Sequence, residues 1–309
     1  MRCRECDRGL QRQRDTARRA ASHPVEIAPA PPAAAARVVE RIMGATHNAP
    51  ETESGRPRLI VVLSDVHYET RWRPLWDGFL AWADAFGADV DDLVLNGDFL
   101  DLESASQHGG NARPPSLAED INEAKRGLRD LRSRFPNARI TYLEGNHETR
   151  VPRYLAANAP TFADSLDVPS LLALEAQGIR WVPTEDQPRL STFGALRLIH
   201  GHQIRGGGGV SVANTLINRR WDSPGVTVAC GHFHRYSVAT RQYVEGSGVA
   251  IGLPTMTTPA PGYTSGAHDH WSYGFTVFES WRGHLRHEAL IADGAGRFLH
   301  LGRIYGGTP

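Results

Sequence analysis

The sequence is poor in cysteine and lysine, and it contains no long apolar run. Three cysteines among 309 residues are too few for a disulfide framework, which favours a reducing cytoplasm. Because no apolar run reaches the length of a bilayer crossing and the first residues lack the apolar core of a secretory signal, we expect neither a membrane segment nor export. Lys125 is the single lysine, and the 34 basic residues are balanced by 34 acidic ones. This balance predicts no general attraction to nucleic acid.

The first 57 residues differ in composition from the rest of the chain. Residues 28–36 are all alanine or proline, a composition typical of linkers. Upstream of them, Cys3 and Cys6 form a CxxC pair, which is half of a zinc ribbon without its second half. A zinc site and a solvated basic tail are both open for this segment. We predict a flexible arm over residues 1–57 and a folded domain over residues 58–309.

Five short polar motifs each follow an apolar run, and the composition of these runs predicts buried strands. The runs cover residues 59–63, 93–95, 140–143, 196–199 and 226–229. The motifs are Asp65-Val66-His67, Gly97-Asp98, Gly145-Asn146-His147-Glu148, His200-Gly201-His202 and Gly231-His232-Phe233-His234. Ligands of open α/β sheets bind at the carboxyl ends of the strands. Carboxylate, amide and imidazole groups gathered at that edge indicate a site for two divalent metals.

The spacing within these motifs suits a shared site. Asp65 and His67 are one residue apart, so in an extended chain both side chains would point to the same face. His232 and His234 repeat this spacing, and Asp98 can bridge two cations with its two oxygens. Taken singly, Asp-x-His and Gly-Asp are more typical of turns than of metal sites. The occurrence of all five motifs after five strands favours the metal site.

Helical periodicity between the first strands predicts a layered α/β fold. Apolar spacing predicts helices over residues 74–87 and 115–135. Further strands are predicted over residues 226–230, 235–242, 273–279, 283–291 and 297–301. The β-α-β-α-β order at the start predicts a partly parallel sheet with helices outside it.

These motifs resemble those of the calcineurin-like metallophosphoesterases. The matching patterns are D-x-H (65–67), G-D-x-x-D (97–101), G-N-H-E (145–148), H-G-H (200–202) and G-H-x-H (231–234). The resemblance extends from about Arg58 into the 280s, which is most of the chain, and the layout is similar to the stand-alone enzymes of bacteria and their phages. It implies a four-layer α/β/β/α sandwich of two mixed β-sheets flanked by helices, with residues 58–309 as the catalytic domain.

The resemblance also implies a role for each motif residue. One metal would be held by Asp65, His67, Asp98 and His234, and the other by Asp98, Asn146, His200 and His232. The implied cofactors are two divalent ions, Mn²⁺ first, with Fe, Zn²⁺ or Ni²⁺ as alternatives. His147 would donate a proton to the leaving group, and Asp101 would orient it. One departure stands out, because the phosphatase branch carries an arginine after this second aspartate where this chain has Leu102.

The substrate is less constrained than the metal site. Loops next to the motifs offer His108, Arg113, His202 and Arg205 as candidate contacts, and a Pro/Gly-rich segment over 254–271 could cover the site. The absent arginine favours hydrolysis of phosphodiester bonds by metal-activated water, with a nuclease as the first hypothesis. A phosphodiesterase for cyclic or dinucleotides and a phosphomonoesterase are alternatives, as is a binding module that has lost catalysis. The expected partners are a phosphodiester substrate or nucleic acid, without a membrane; the oligomeric state is left open.

Overall fold

A computed structural model of the chain describes residues 55–106, 116–162, 166–187, 192–204, 211–219, 221–259 and 270–307. The predicted arm, including Cys3 and Cys6, lies outside these residues apart from its last three positions. None of the helices in these ranges combines the length and the apolar character that a membrane crossing needs.

Strands and helices alternate in the first half of the fold, and strands dominate the second. The strands are β1 (Arg58–Leu63), β2 (Asp92–Asn96), β3 (Arg139–Leu143), β4 (Ile179–Val182), β5 (Thr192–Phe193), β6 (Leu196–Ile199), β7 (Thr227–Cys230), β8 (Ser237–Tyr243), β9 (Gly246–Gly252), β10 (Gly274–Trp281), β11 (His284–Ile291), β12 (Phe298–His300) and β13 (Arg303–Tyr305). The α-helices are α1 (Arg73–Phe86), α2 (Leu117–Arg134), α3 (Arg150–Asn158), α4 (Val168–Leu172) and α5 (Val212–Asn218). Short 3₁₀-helices cover Tyr68–Thr70, Gly87–Asp89, Glu103–Ala105, Pro160–Phe162, Glu175–Gln177 and Thr184–Asp186.

The strands of the described residues form two mixed sheets and a separate hairpin. The first sheet has the order β11-β10-β1-β2-β3-β4, in which β1 to β4 are parallel and β10 runs antiparallel beside β1. The second has the order β5-β6-β7-β9-β8, with β6, β7 and β9 parallel. Strands β12 and β13 pair only with each other. The carboxyl ends of β1, β2, β3, β6 and β7 are the ends at which the five polar motifs begin.

Three apolar clusters separate the layers. Successive residues of β1 alternate between two of them: Val61 contacts the helices α1 and α2, whereas Ile60 and Val62 face the second sheet. Both faces of the parallel strands are therefore buried, which explains their continuous apolar runs. The third cluster lies between the second sheet and α5, and it includes Val228 of β7 and Leu216 of α5. Helix, sheet, sheet and helix thus stack in that order, and the predicted α/β/β/α fold is confirmed.

Local sequence signals explain the two long helices. In α2, Ser116 accepts from the backbone N–H of Glu119, and the Glu119 side chain accepts in turn from the backbone of Ser116. This capping box satisfies donors that the first turn leaves without a partner. The apolar face of α2 then buries Leu128 and Leu131 completely. Helix α1 has Pro74 in its first turn, where the missing N–H costs nothing.

The predicted elements agree with the structure to within a few residues. The two helices expected at 74–87 and 115–135 are α1 and α2, and the first four apolar runs lie in β1, β2, β3 and β6. Seven strands and α-helices of the described residues were not predicted from the sequence. These are β4, β5, β9, β13, α3, α4 and α5. Strand β9 was missed because its glycines and alanine carry little strand propensity, and the adjacent strands β7 and β8 supply its order.

Candidate metal centre

The loops after the strands turn sharply, with left-handed backbone at five motif residues. Asp65, His67, Asp98, His232 and His234 have φ values between 44° and 66°. Residues other than glycine rarely adopt this backbone conformation, and where they do, they are often found at functional sites. The prediction that residues 65–67 and 232–234 are extended is therefore wrong. Left-handed turns, rather than strand alternation, bring the paired side chains to one place.

Backbone hydrogen bonds hold the loop after β1 against the loop after β2. The N–H of Asp65 donates to the carbonyl of Gly97 over 3.2 Å, and that of His67 to Asp98 over 3.0 Å. These bonds satisfy groups that would otherwise be buried without partners, which offsets part of the cost of the turns. The two loops are consequently joined, and they bring Asp65 and Asp98 to the same end of the parallel strands.

Two motif glycines are required by the close approach of backbone to carboxylate. A Cβ atom on Gly145 would lie 2.1 Å from Oδ1 of Asp98. On Gly231, it would lie 2.4 Å from Oδ2 of Asp65 and 1.9 Å from the hydroxyl of Ser64. No side chain fits at such distances, so the glycines in G-N-H-E and G-H-x-H make room for the carboxylates.

One group of potential ligands consists of Asp65, His67 and His234, all buried. Oδ1 of Asp65 lies 3.1 Å from Nε2 of His234, and the three ligand atoms lie within 4.8 Å of one another. Among the described residues, Nε2 of His67 and Nδ1 of His234 have no hydrogen-bond partner. A buried polar atom without a partner is costly, and a divalent ion coordinated by imidazole and carboxylate would satisfy it. The residues of this group therefore fit a metal.

A second group consists of Asp98, His200 and His232. Oδ2 of Asp98 and Oδ1 of Asn146 each lie 3.2 Å from Nε2 of His200. On the other side of the ring, Nδ1 of His200 lies 2.9 Å from the carbonyl of Asn96. Because a carbonyl only accepts, Nδ1 carries a hydrogen, and Nε2 is the nitrogen that would offer its lone pair to a cation that displaces its proton. This is the orientation that a metal-binding histidine requires.

The neighbouring imidazoles keep the buried carboxylates ionised. Burial alone would raise the pKa of Asp65, but His234 and His200 hold it well below its usual range. The pKa of Asp98 is also held low, with His200 as the main opposing influence to burial. Burial would lower the pKa of His200, yet Asp98 and Asp65 raise it to about 10. The two buried carboxylates are thus ionised, and a divalent cation can take the place of the protons on the imidazoles beside them.

His147 and Asp101 lie together, as the sequence predicted, but Asp101 has a further neighbour. Nδ1 of His147 lies 3.0 Å from Oδ1 of Asp101 and 2.9 Å from its backbone carbonyl. The same carboxylate oxygen lies 3.4 Å from Nδ1 of His67. His147 also belongs to a third group of potential metal ligands, with His67 and Asp98. Asp101 therefore orients a potential metal ligand as well as the predicted proton donor.

Glu148 has a structural function that the sequence did not reveal. Its buried carboxylate accepts from the backbone N–H groups of Asp98, Leu100 and Gly145 over 2.8–3.2 Å, and from the hydroxyl of Tyr142 over 2.7 Å. These bonds tie the loop after β2 to the loop after β3. The only sequence signal was its place at the end of G-N-H-E, because its four partners lie at other positions of the chain.

Of the four predicted substrate contacts, His202 lies among the described residues. His202 is half-buried, with its ring centroid 5.4 Å from that of His200 and 6.3 Å from that of His232. Burial, followed by the charge of His200, lowers the pKa of His202 to about 4. The other three candidates lie outside the described residues: His108, Arg113 and Arg205.

Two aromatic or basic side chains reach the site without having been predicted as contacts. Trp271, at the end of the 254–271 segment, lies edge-on to His234 with ring centroids 4.2 Å apart. Arg150, the first residue of α3, places Nη2 3.1 Å from Nε2 of His147. Arg150 follows His147 by three residues, a spacing that places two side chains on one side of a helical turn. The missed helix α3 concealed this signal.

The solved structures that the chain matches are distant in sequence. No curated protein sequence matches the chain. Among solved structures, Vacuolar Protein Sorting 29 from Cryptosporidium parvum has 13% identity and a TM-score of 0.41, covering 81% of this chain and 95% of that one. Vps29 from Chaetomium thermophilum has 12% identity and a TM-score of 0.35, covering 76% and 97%.

The family comparison covers the motif-bearing part of the chain. The sequence model described as calcineurin-like phosphoesterase matches residues 58–236, which is more than half of the 309 residues. All five polar motifs fall within this match, as do the three groups of potential metal ligands. The chain therefore belongs to the calcineurin-like phosphoesterase family.

Proposed function

We propose that this protein hydrolyses phosphodiester bonds with the help of two divalent metal ions. The observation that carries the proposal is that two groups of buried ligands share one carboxylate. Asp98 lies within 4.8 Å of ligand atoms in the group with His200 and His232, and also in the group with His67 and His147. A bridging carboxylate between two sets of imidazoles is the arrangement of a dinuclear site, which binds both the attacking and the leaving side of a phosphoryl group.

The proposed ligand sets are those that the resemblance to the family implies. The first ion would be held by Asp65, His67, Asp98 and His234, and the second by Asp98, Asn146, His200 and His232. When bound, the two ions would lower the pKa of water and neutralise charge on the phosphoryl oxygens. Mixed imidazole and carboxylate ligation accommodates Mn²⁺, Fe, Zn²⁺ and Ni²⁺, and we propose Mn²⁺ for the first tests.

His147 and Asp101 would serve the leaving group. The carboxylate of Asp101, 3.0 Å from Nδ1 of His147, fixes the ring so that Nε2 points away from it. Burial would lower the pKa of His147, but Asp98 and Asp101 raise it, so the imidazole is suited to hold a proton near neutral pH. Transfer of that proton to the departing oxygen avoids release of a free alkoxide.

The preference for diesters rests on Leu102. Its side chain is fully buried in the core formed with α1 and α2, and its own φ is 52°. A cationic side chain at this position would be buried among apolar groups, at a cost of several kcal/mol. The position therefore lacks a cation for the doubly charged end of a monoester. Nucleic acid strands, cyclic nucleotides and dinucleotides are the diesters that we propose as substrates.

The first test compares two chromogenic substrates in Mn²⁺. We expect bis-p-nitrophenyl phosphate to be hydrolysed faster than p-nitrophenyl phosphate, and Asp98→Asn to lose this activity. The exposed Arg180, near the amino end of β4, offers a control, because Arg180→Gln should keep wild-type turnover. Faster cleavage of the monoester would contradict the diester assignment. Bound metal with no turnover of either substrate would instead favour a binding module without catalysis.

A further inference from the structure

Arg150 lies beside the atom of His147 that would face the leaving group. Its Nη1 donates to the backbone carbonyl of Asp101 over 2.6 Å, and its Nη2 lies 3.1 Å from Nε2 of His147. The side chain is 22% exposed, whereas that of Asp101 is 5% exposed. Arg150 thus lies on the open side of the centre, where a substrate would enter.

The charge of Arg150 is only partly balanced by its surroundings. Its closest partner is the neutral carbonyl of Asp101, and Nη1 lies 3.5 Å from Oδ1 of the same residue. That oxygen lies closer to Nδ1 of His147, at 3.0 Å, and also contacts His67 at 3.4 Å. A guanidinium remains cationic at any physiological pH and carries five N–H donors in a planar fork. The group therefore has donors and charge available for an anionic ligand.

The contact between Arg150 and His147 needs a further acceptor when Nε2 of His147 carries a hydrogen. With neutral imidazole, Nη2–H of Arg150 donates to Nε2 of His147. For His147 to act as a proton donor, however, Nε2 must carry a hydrogen. Two N–H groups then face one another about 3 Å apart, an arrangement that lacks an acceptor. An ester oxygen placed next to both nitrogens would accept from both.

We propose that Arg150 is a catalytic residue that binds the leaving oxygen of the phosphoester together with His147. This inference rests on the function proposed above. In the step itself, water oxygen bonds to phosphorus as the bond from phosphorus to the leaving oxygen breaks. The electron pair stays on the leaving oxygen, which takes the proton from Nε2 of His147. The attacking water releases its proton to solvent, and His147 regains a proton there.

The cationic side chain of this site thus belongs to α3 and not to position 102. Leu102 is buried in the core, whereas Arg150 approaches His147 from the solvent side. A cation at the leaving oxygen acts on the charge that develops there during bond breaking. Such a donor lowers the barrier more for a basic leaving group, because more charge remains on the oxygen.

The test uses two diesters that differ in the basicity of the leaving group. Bis-p-nitrophenyl phosphate releases the weakly basic p-nitrophenolate, and diphenyl phosphate releases the more basic phenolate. We expect Arg150→Gln to lower kcat about 10²-fold with diphenyl phosphate and less than about tenfold with the nitrophenyl ester. Arg150→Lys keeps the charge but not the planar fork, so its loss should be smaller with both. Metal content, measured by elemental analysis, should equal that of the wild type in both variants.

The controls separate this inference from the proposed function. Arg180→Gln removes an exposed arginine from β4 and should leave the ratio between the two diesters unchanged. If Arg150→Gln slows both diesters equally, or neither, Arg150 does not bind the leaving oxygen. If Arg150→Gln fails to fold, the same ratio measured in Arg150→Lys decides the question. A wild-type protein that cleaves neither diester would refute the proposed function itself.

Discussion

A buried aspartate lies at or just beyond each end of strand β2, and the two aspartates have different neighbouring side chains. At the amino end, Oδ2 of Asp92 lies 2.5 Å from Nε of Arg58, and Oδ1 lies 3.1 Å from Nε of Arg139. Two residues beyond the carboxyl end, Asp98 has imidazoles as its neighbours, with His200 at 3.2 Å. Both carboxylates are at most 3% exposed. Two carboxylates that are buried to a similar extent thus have different partners at the amino and the carboxyl ends of the strands.

The difference separates a structural ion pair from a binding site. Arginine is always protonated and cannot ligate a metal, so Asp92 is neutralised within the protein and has no need of an ion. Histidine gives up its proton readily and then offers a lone pair. Asp98 and Asp65 therefore retain negative charge that a divalent cation can neutralise. The identity of the basic partner, rather than the burial of the carboxylate, distinguishes the two edges.

The largest effect is expected from Asp98→Asn at the carboxyl edge. Removing the shared carboxylate takes a ligand from both groups, so turnover should fall by about 10³-fold or more. Bound metal, measured on the same protein by elemental analysis, should fall with it. Unchanged metal content and turnover would show that Asp98 does not bridge two ions.

The next largest effect should follow from His147→Ala. Loss of the proton donor should lower kcat by about 10²-fold or more with diphenyl phosphate, while both metal ions stay bound. The decrease should be smaller with bis-p-nitrophenyl phosphate, which needs less help from an acid. Metal loss in this variant would instead assign His147 to the metal, in agreement with its place in the third ligand group.

At the amino edge, Asp92→Asn should affect stability and not chemistry. The substitution leaves Arg58, whose side chain is 8% exposed, without its carboxylate. An uncompensated buried charge of this kind costs about 3 kcal/mol. Denaturant unfolding should show this loss, while kcat and metal content per folded molecule match the wild type. Reduced metal content would mean that the two edges are not independent.

Removal of metal tests the same contrast without a mutation. Ions that bind only the folded protein stabilise it by about 3 kcal/mol at a concentration roughly 100 times their Kd. A chelator should therefore lower the Tm of wild type and of Asp92→Asn by similar amounts. In Asp98→Asn the decrease should be much smaller, because less metal is bound at the start. Equal decreases in all three proteins would place the stabilising ion elsewhere.

The smallest effect concerns Asp120, a buried carboxylate that belongs to none of the three ligand groups. Burial raises its pKa from 3.8 to about 6, although Ser104 donates to it over 3.1 Å. The folded state therefore binds this proton more tightly than the unfolded chain, and the advantage is lost as pH rises from about 4 to 6. Between pH 4 and 7 the wild type should lose about 2 kcal/mol relative to Asp120→Asn. Parallel stability curves for the two proteins would contradict this.

The strand cores and ligand types could be predicted because they depend on short segments. An apolar run such as residues 59–63 is long enough to specify a buried strand, and the Asp-x-His motif after it can be recognised from the sequence alone. The loop conformation could not be predicted in this way. Extended backbone was expected at Asp65 and His67, whereas both adopt positive φ. Those turns are stabilised by backbone bonds to the neighbouring loop rather than by their own residues.

The sequence by itself determined the order of the motifs, the family and the kinds of ligand, because each depends on residue type and local spacing. Only the tertiary structure decided which of these groups meet. The backbone N–H of His232 donates to Asp65 from 167 positions away, and Glu148 connects loops from different strands. Arg150 reaches His147 through a short helix that periodicity did not predict. Such contacts depend on how sheets and loops pack, and packing joins residues whose spacing along the chain carries no signal.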